Sequence, residues 1–511
     1  TQIAAIETTD LVVMSTAQLL VLNSSQVRAL STAQVVELMS SHLAGLSSAA
    51  VGALTTNQLS VLTAAKLSFF DVASVPGLTS SQVIGLTTTQ TAGLGTSTVS
   101  ALNTNTVRSL TTAQIVALTT LQAANLTTAN IKALSTSQIA VLETSDIEVL
   151  SIESLAALTS EQIVALSTSQ IANLSSSQNI QLAEARLGAF SASQILAFYT
   201  TRLAALSTSA IASLTTMQVP VLSTDQIVSL TTTQISVLNS KLLGALTTNQ
   251  LSVLTFAKLN SFDLASVPGL TSSQVIGLTT TQTSGLSTAT VAALNTSTVS
   301  NLTTAQIAAL TTDQALNLTT TTLKALTTKQ IAVLETSDLE LLTSSNIAIL
   351  SSVQLQALTT SQVAGLSTQQ VFEMNTTTLQ ALTTRQIAAL ETSDVAVLGT
   401  SSIEGLLTTQ LRALTTSQIA GLTSQQVFDL STTSLRLLTT AQIVALETSD
   451  VAVLGTSSIE GLLTTQLQAL TATQIGGLTS QQVFDLSTTT LKNLTTTQIV
   501  ALESSDLAVL G

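Results

Sequence analysis

The residues able to do chemistry are few, and their spacing limits what they could do. His42 is the only histidine, and it stands where the surrounding pattern places Gln, in "SSHLAGL". No partner for metal binding or proton transfer accompanies it, so it reads as a substituted polar position. "ETSD" recurs at Glu143, Glu335, Glu391 and Glu447, with "ETTD" at Glu7 and "ESSD" at Glu503. Two carboxylates three residues apart could share a calcium ion. The glycine-rich nonapeptide of calcium-binding repeats is absent, however, and an acid at a helix cap with a second at the third position complements the helix dipole. The dipole reading is adopted. No phosphate loop, nucleophile elbow or HExxH motif occurs, and the abundant Ser has no base to activate it. No catalytic, cofactor-binding or metal residue is assigned.

One set of residues remains. Phe372, Phe428 and Phe484 lie fifty-six residues apart in "QQVFEM", "QQVFDL" and "QQVFDL", at a position that charges occupy elsewhere. A single exposed aromatic is ordinary. A regular row is better explained as contact with a neighbouring coil or subunit, so these three are the candidate assembly contacts.

The elements that must position them follow from composition and periodicity. Of 511 residues only 8% are charged and 2% aromatic, with no Cys and no Trp. Ser and Thr make up roughly a third of the chain. Disordered polar chains are low in hydrophobicity, whereas this one is 45% hydrophobic with a mean hydropathy of +0.52. A net charge of −13 disfavours nucleic acid and anionic membrane, which call for clustered Lys and Arg. No apolar run approaches the length of a membrane-spanning helix. The absence of Cys excludes a disulfide framework and fits export across a bacterial envelope. The chain opens at Thr1 without an initiator Met or a signal-like block.

An eight-residue ruler runs through everything. From Ile6 to Leu510 every eighth residue is Leu, Ile, Met or Phe, without insertion or deletion. A second apolar residue lies three positions earlier, failing to be a large aliphatic only at Thr91, Ala123, Asn179, Thr283 and Ala315. Separate globular domains would not hold one phase across linkers, so residues 1–511 are expected to be a single continuous array. Longer copies overlie the octads. "KLSFFDVASVPGL" from Lys66 returns at Lys258 as "KLNSFDLASVPGL", and "ETSDVAVLGTSSIEGLLTTQL" begins at both Glu391 and Glu447. Both are read as duplications.

One octad carries a complete helix signal. Thr111 followed three residues later by Gln114 is a capping box, and Leu110 with Ile115 forms the matching hydrophobic staple. At 100° per residue, Ile115 and Leu118 share one face while Ala113 and Val116 point away. Ten of the fourteen bases occupy those two outward positions, among them Arg28, Lys132, Lys241 and Arg412. Pro76, Pro220 and Pro268 also occupy the Val116-type position, where a long helix would not accept them. One unbroken helix would smear its apolar pair around the axis, because eight does not match a period of 3.6. Two aliphatics do not offset the entropy of ordering eight residues, so the octads must stack. Gly85, Gly93, Ala117 and Ala133 are small enough to permit close approach. The expected fold is an all-α solenoid with one very short helix per octad. The alternative is a β-solenoid, since Thr, Val and Ile favour strands, but spacings of three and five send the apolar pair to opposite faces of a strand.

"LTTAQIVAL" locally resembles the opening helix of the DNA-reading TAL-effector repeats. The period of eight, the missing base-reading pair and the acidic charge set that function aside. Through its "TTxQIxxL" phrase the whole chain resembles the Cys-free, Thr/Ser-rich arrays of large bacterial secreted cell-surface proteins, of adhesin, filament or coat type. That resemblance implies an extracellular bacterial structural protein and carries no site residues. The expected function is therefore structural and non-enzymatic: part of a filament, sheath or adhesin stalk that self-associates. The alternative is a surface module binding glycan, ice or a host protein. Because the chain starts and stops within the repeat register, head-to-tail assembly or a longer parent chain is expected. Neither nucleic acid nor membrane insertion is expected.

Overall fold

The octad signal is obeyed almost everywhere. The computed structural model describes residues 2–502, in which 58 short α-helices and five 3-10 helices follow one another. No strand occurs among the described residues, so the β-solenoid is excluded. "ESSD" at Glu503 and the last ruler position, Leu510, lie outside them. The chain forms two compact units, Thr1–Leu254 with Ser261–Gly269 and Thr255–Asn260 with Leu270–Gly511.

The helix Thr128–Ala133 shows how eight residues start and stop a helix. Its cap Thr127 is extended (φ −72°, ψ 161°) and its hydroxyl accepts the Asn130 N–H, while Leu134 returns the backbone to extended geometry (φ −59°, ψ 139°). Most ruler residues close the preceding helix in a 3-10 manner, as where the Leu118 N–H donates to the Ile115 carbonyl at 3.2 Å. No described residue, glycine included, has positive φ, so the helices end without the left-handed cap that commonly terminates longer ones. Both inward positions are buried: Ile115 and Ile131 are 0% exposed, Leu118 and Leu134 only 5% and 4%. The ten outward bases are all exposed.

Stacking follows one register within each unit. In the first, the Gln58 amide reaches the carbonyls of Val27 and Leu30, which lie 31 and 28 residues earlier. In the second, Gln306 reaches Val275 and Leu278 at the same separations. In the other direction Ser24 Oγ and Gln380 Nε2 reach carbonyls 25 residues later, those of Ala49 and Gly405. Neighbours on successive turns are therefore 25 to 31 residues apart, centred on 28, which is three and a half octads per turn. The small residues serve this approach. A Cβ on Gly93 would collide with Ala64 Cβ, and one on Gly77 with the backbone of Ser48.

Two departures have local causes. The helix Ser176–Arg186 runs through the ruler residue Leu182 for 11 residues. Ala183 and Glu184 follow Leu182 where a Ser/Thr-type cap stands elsewhere, and both favour helix continuation. The three prolines convert their octads to 3-10 turns, Val75–Gly77, Val219–Val221 and Val267–Gly269, with trans peptide bonds.

Candidate functional site

The first recurrent polar site is internal. The Gln of the capping box is buried and works on two helices at once. Gln114 Oε1 accepts the Thr111 N–H at 2.8 Å, and its Nε2 donates to the carbonyls of Val83 and Leu86, both at 2.8 Å. Gln426 repeats this against Thr423, Val395 and Leu398. One amide thus satisfies an unpaired N–H at the start of its own helix and unpaired carbonyls at the end of the helix below. Sequence reasoning found the first half of this role and missed the second. The signal was present: a capping box accepts Glu or Gln equally, yet the array uses Gln, the one that can also donate.

Several substitutions at the inward position keep the donor. His42 is 2% exposed; its Nδ1 accepts the Met39 N–H and its Nε2 meets the Met14 carbonyl at 3.0 Å, 28 residues earlier. It does the work of Gln, with Nε2 carrying the hydrogen. Arg202 donates to Leu174 at 3.1 Å while its guanidinium stacks on Tyr199, and Lys66 donates to Val36 and Leu38. Asn130, one methylene shorter, reaches only Leu102.

Asp cannot donate as Gln does, and the structure adds burial to the dipole reading. Asp146, Asp338, Asp394 and Asp450 lie in the first helical turn, as that reading has it, but they point inward and are only 1–3% exposed. Burial pushes all four carboxyls up from their ordinary range. Hydroxyls 26 residues earlier, on Thr120, Thr312, Thr368 and Ser424, oppose that by donating to them. Nearby Glu residues push the carboxyls further up. Asp394 and Asp450 also accept the N–H of Glu391 and Glu447. Asp146 Oδ2 and Asp338 Oδ1 have no partner. Asp10 of "ETTD" is exposed. Among the described residues no three His, Cys, Asp or Glu side chains converge on a point where a metal could bind.

The candidate assembly contacts lie on the outside. Phe372, Phe428 and Phe484 each end a five-residue helix and are 57%, 55% and 60% exposed. Their spacing of fifty-six residues is two turns of 28, so they stand one above another on a single side of the second unit. Helix packing distances of about 8–10 Å per turn place them roughly 16–20 Å apart. The outward side chains Gln380, Arg412 and Gln468, at the same octad position, reach carbonyls 25 residues later. That register sets Phe372 beside Val397 and Phe428 beside Val453. Leu341 and Val453 are exposed and Val397 is half-buried, so apolar side chains accompany the phenylalanines in that register. An acid follows each Phe and is held by a Gln four residues back: Gln369 to Glu373, Gln425 to Asp429 and Gln481 to Asp485, at 2.5, 3.0 and 3.0 Å. The hydrogen bonds from Gln369 and then Ser344 hold the Glu373 carboxyl below its ordinary value.

Among the described residues no helix is long and apolar enough to cross a membrane. Seven segments match the family model described as the ALTTAQ repeat: residues 3–40, 92–128, 139–176, 197–232, 331–368, 387–424 and 443–480. Together they cover more than half of the chain. The last three begin fifty-six residues apart, the spacing of the phenylalanines. No curated protein matches the sequence.

Proposed function

The chain belongs to the ALTTAQ repeat family, and from that premise we propose that it is a structural, non-enzymatic protein that self-associates. Its setting in this reading is an extracellular bacterial filament, sheath or adhesin stalk. The observation that carries the reading is the stripe of Phe372, Phe428 and Phe484, large apolar side chains left in solvent at a fixed interval of two turns. An array that already buries nearly all of its ruler residues has no internal use for these outward side chains. The buried Gln amides, which join one turn to the next, support a structural reading.

The test is sedimentation and electron microscopy of the full chain beside the F372S, F428S, F484S triple variant. The native chain should form particles larger than a monomer, ending in long uniform assemblies. The variant should retain its helical circular dichroism and need at least tenfold more protein to associate, about 1.4 kcal/mol. Assembly unchanged in the variant, or a compact monomer that saturably binds glycan, would overturn the reading.

A further inference from the structure

The 28-residue turn sorts the charges of the second unit in a way that the linear sequence hides. Counting whole turns from Phe372, Glu373, Asp429 and Asp485 fall one position past the stripe, and Glu335, Glu391 and Glu447 nine positions before it. All 13 acids between residues 270 and 502 lie from nine positions before the stripe to four after it. The six bases of that span are elsewhere. Lys324, Arg436 and Lys492 fall eight positions past the stripe, Arg412 twelve, and Lys329 and Arg385 thirteen. Half a turn is fourteen. Every one of these bases is exposed, and so are most of the acids. Lys258, the other base of this unit, falls two positions before the stripe but occupies the inward Gln position and is half-buried.

The second unit thus has an acidic side that carries the phenylalanine stripe and, close to half a turn away, a basic side. Two like-facing acidic sides would repel, which argues against a symmetric contact through the phenylalanines. The acidic side of one molecule and the basic side of another attract. We propose that the chain associates laterally with a second copy of itself, the acidic Phe side of one molecule lying against the basic side of the next. Such a contact is heterologous: each molecule keeps one free acidic and one free basic side, so addition continues into open arrays. The inference rests on the self-association read above and specifies its surfaces.

Two charge-inverted full chains test it. The first carries K324E, K329E, R385E, R412E, R436E and K492E and is acidic on both sides. The second carries E373K, D429K and D485K, which puts a base beside each phenylalanine in place of the acid. Because all nine positions are exposed, both should match the native helical circular dichroism. At about 20 mM salt the native chain should sediment as assemblies, and near 500 mM, where the Debye length is only a few ångströms, half-association should need at least tenfold more protein. Each inverted chain alone should stay monomeric at low salt, and an equimolar mixture of the two should co-sediment as assemblies. Native assembly that is insensitive to salt and survives in the first inverted chain would overturn this inference while leaving self-association standing. A native chain that stays monomeric at every salt concentration would overturn both.

Discussion

The regions 2–254 and 270–502 share one octad and one 28-residue register, yet they dispose of their charges differently. In the first, Arg108, Lys132, Glu161 and Arg186 follow one another at 24, 29 and 25 residues, so one side carries both signs and Arg186 faces Glu161 across a turn. In the second, acids and bases occupy separate sides. The cause is the length of the copied unit. Glu335–Leu390, Glu391–Leu446 and Glu447–Leu502 are related blocks of fifty-six residues, seven octads, or two whole turns. With three and a half octads per turn, seven is the smallest number that returns a residue to the same side. Duplicating six or eight octads would move each charge by eight positions in 28, more than a quarter turn. The scaffold is common to both regions; the patterned surface belongs to the second.

That division can be broken at its common part first. Q114E in the first region and Q426E in the second each remove the hydrogen bonds donated by a buried amide and place an acid in a buried position. Each should lower the stability of the surrounding turns by about 3–5 kcal/mol, seen in thermal unfolding and in hydrogen exchange confined to the neighbouring helices. Equal losses in the two regions would confirm a shared scaffold; a loss in one alone would break it.

A smaller effect is expected where nature has already put an acid inside. Asp146 lies in the first region and Asp338 in the second, each with an unpaired buried oxygen. Their carboxyls are pushed up by burial from a starting value of 3.8. The folded chain therefore holds these protons more tightly than the unfolded one. Stability should be greatest below the unfolded value and fall as pH rises through the folded value. D146Q and D338Q restore the repeat's own donor. Each should add about 1–3 kcal/mol near neutral pH and flatten the dependence of melting temperature on pH. An unchanged pH profile in the double variant would contradict the assignment.

Much of this molecule is legible in its octads. Leu110, Thr111, Gln114 and Ile115 announce a helix by capping and staple, and the positions of the bases identify the outward face. The outward placement of Phe372 follows from the same wheel. What is not legible depends on the angle between successive helices, which is set by how side chains wedge together over a whole turn. No property of one octad contains it. Without the turn length, the partner of Gln114 is unknown, Asp146 passes for a surface acid, and Glu335 and Lys324 are merely charges eleven residues apart. The readthrough at Leu182 was readable in principle, since Ala183 and Glu184 offer no cap.

If the proposed contact is right, the side of the coil, and not composition, governs association. Sedimentation of two insertion chains tests it most directly. One carries a single consensus octad after Leu446, which moves Phe484 and Lys492 by more than a quarter turn from Phe428 and Arg436. The other carries a seven-octad block at the same place, which restores the alignment. Both should keep the helical stack. The seven-octad chain should associate at least as readily as the native protein, and the one-octad chain should need several-fold more protein. Equal association by the two would contradict the account.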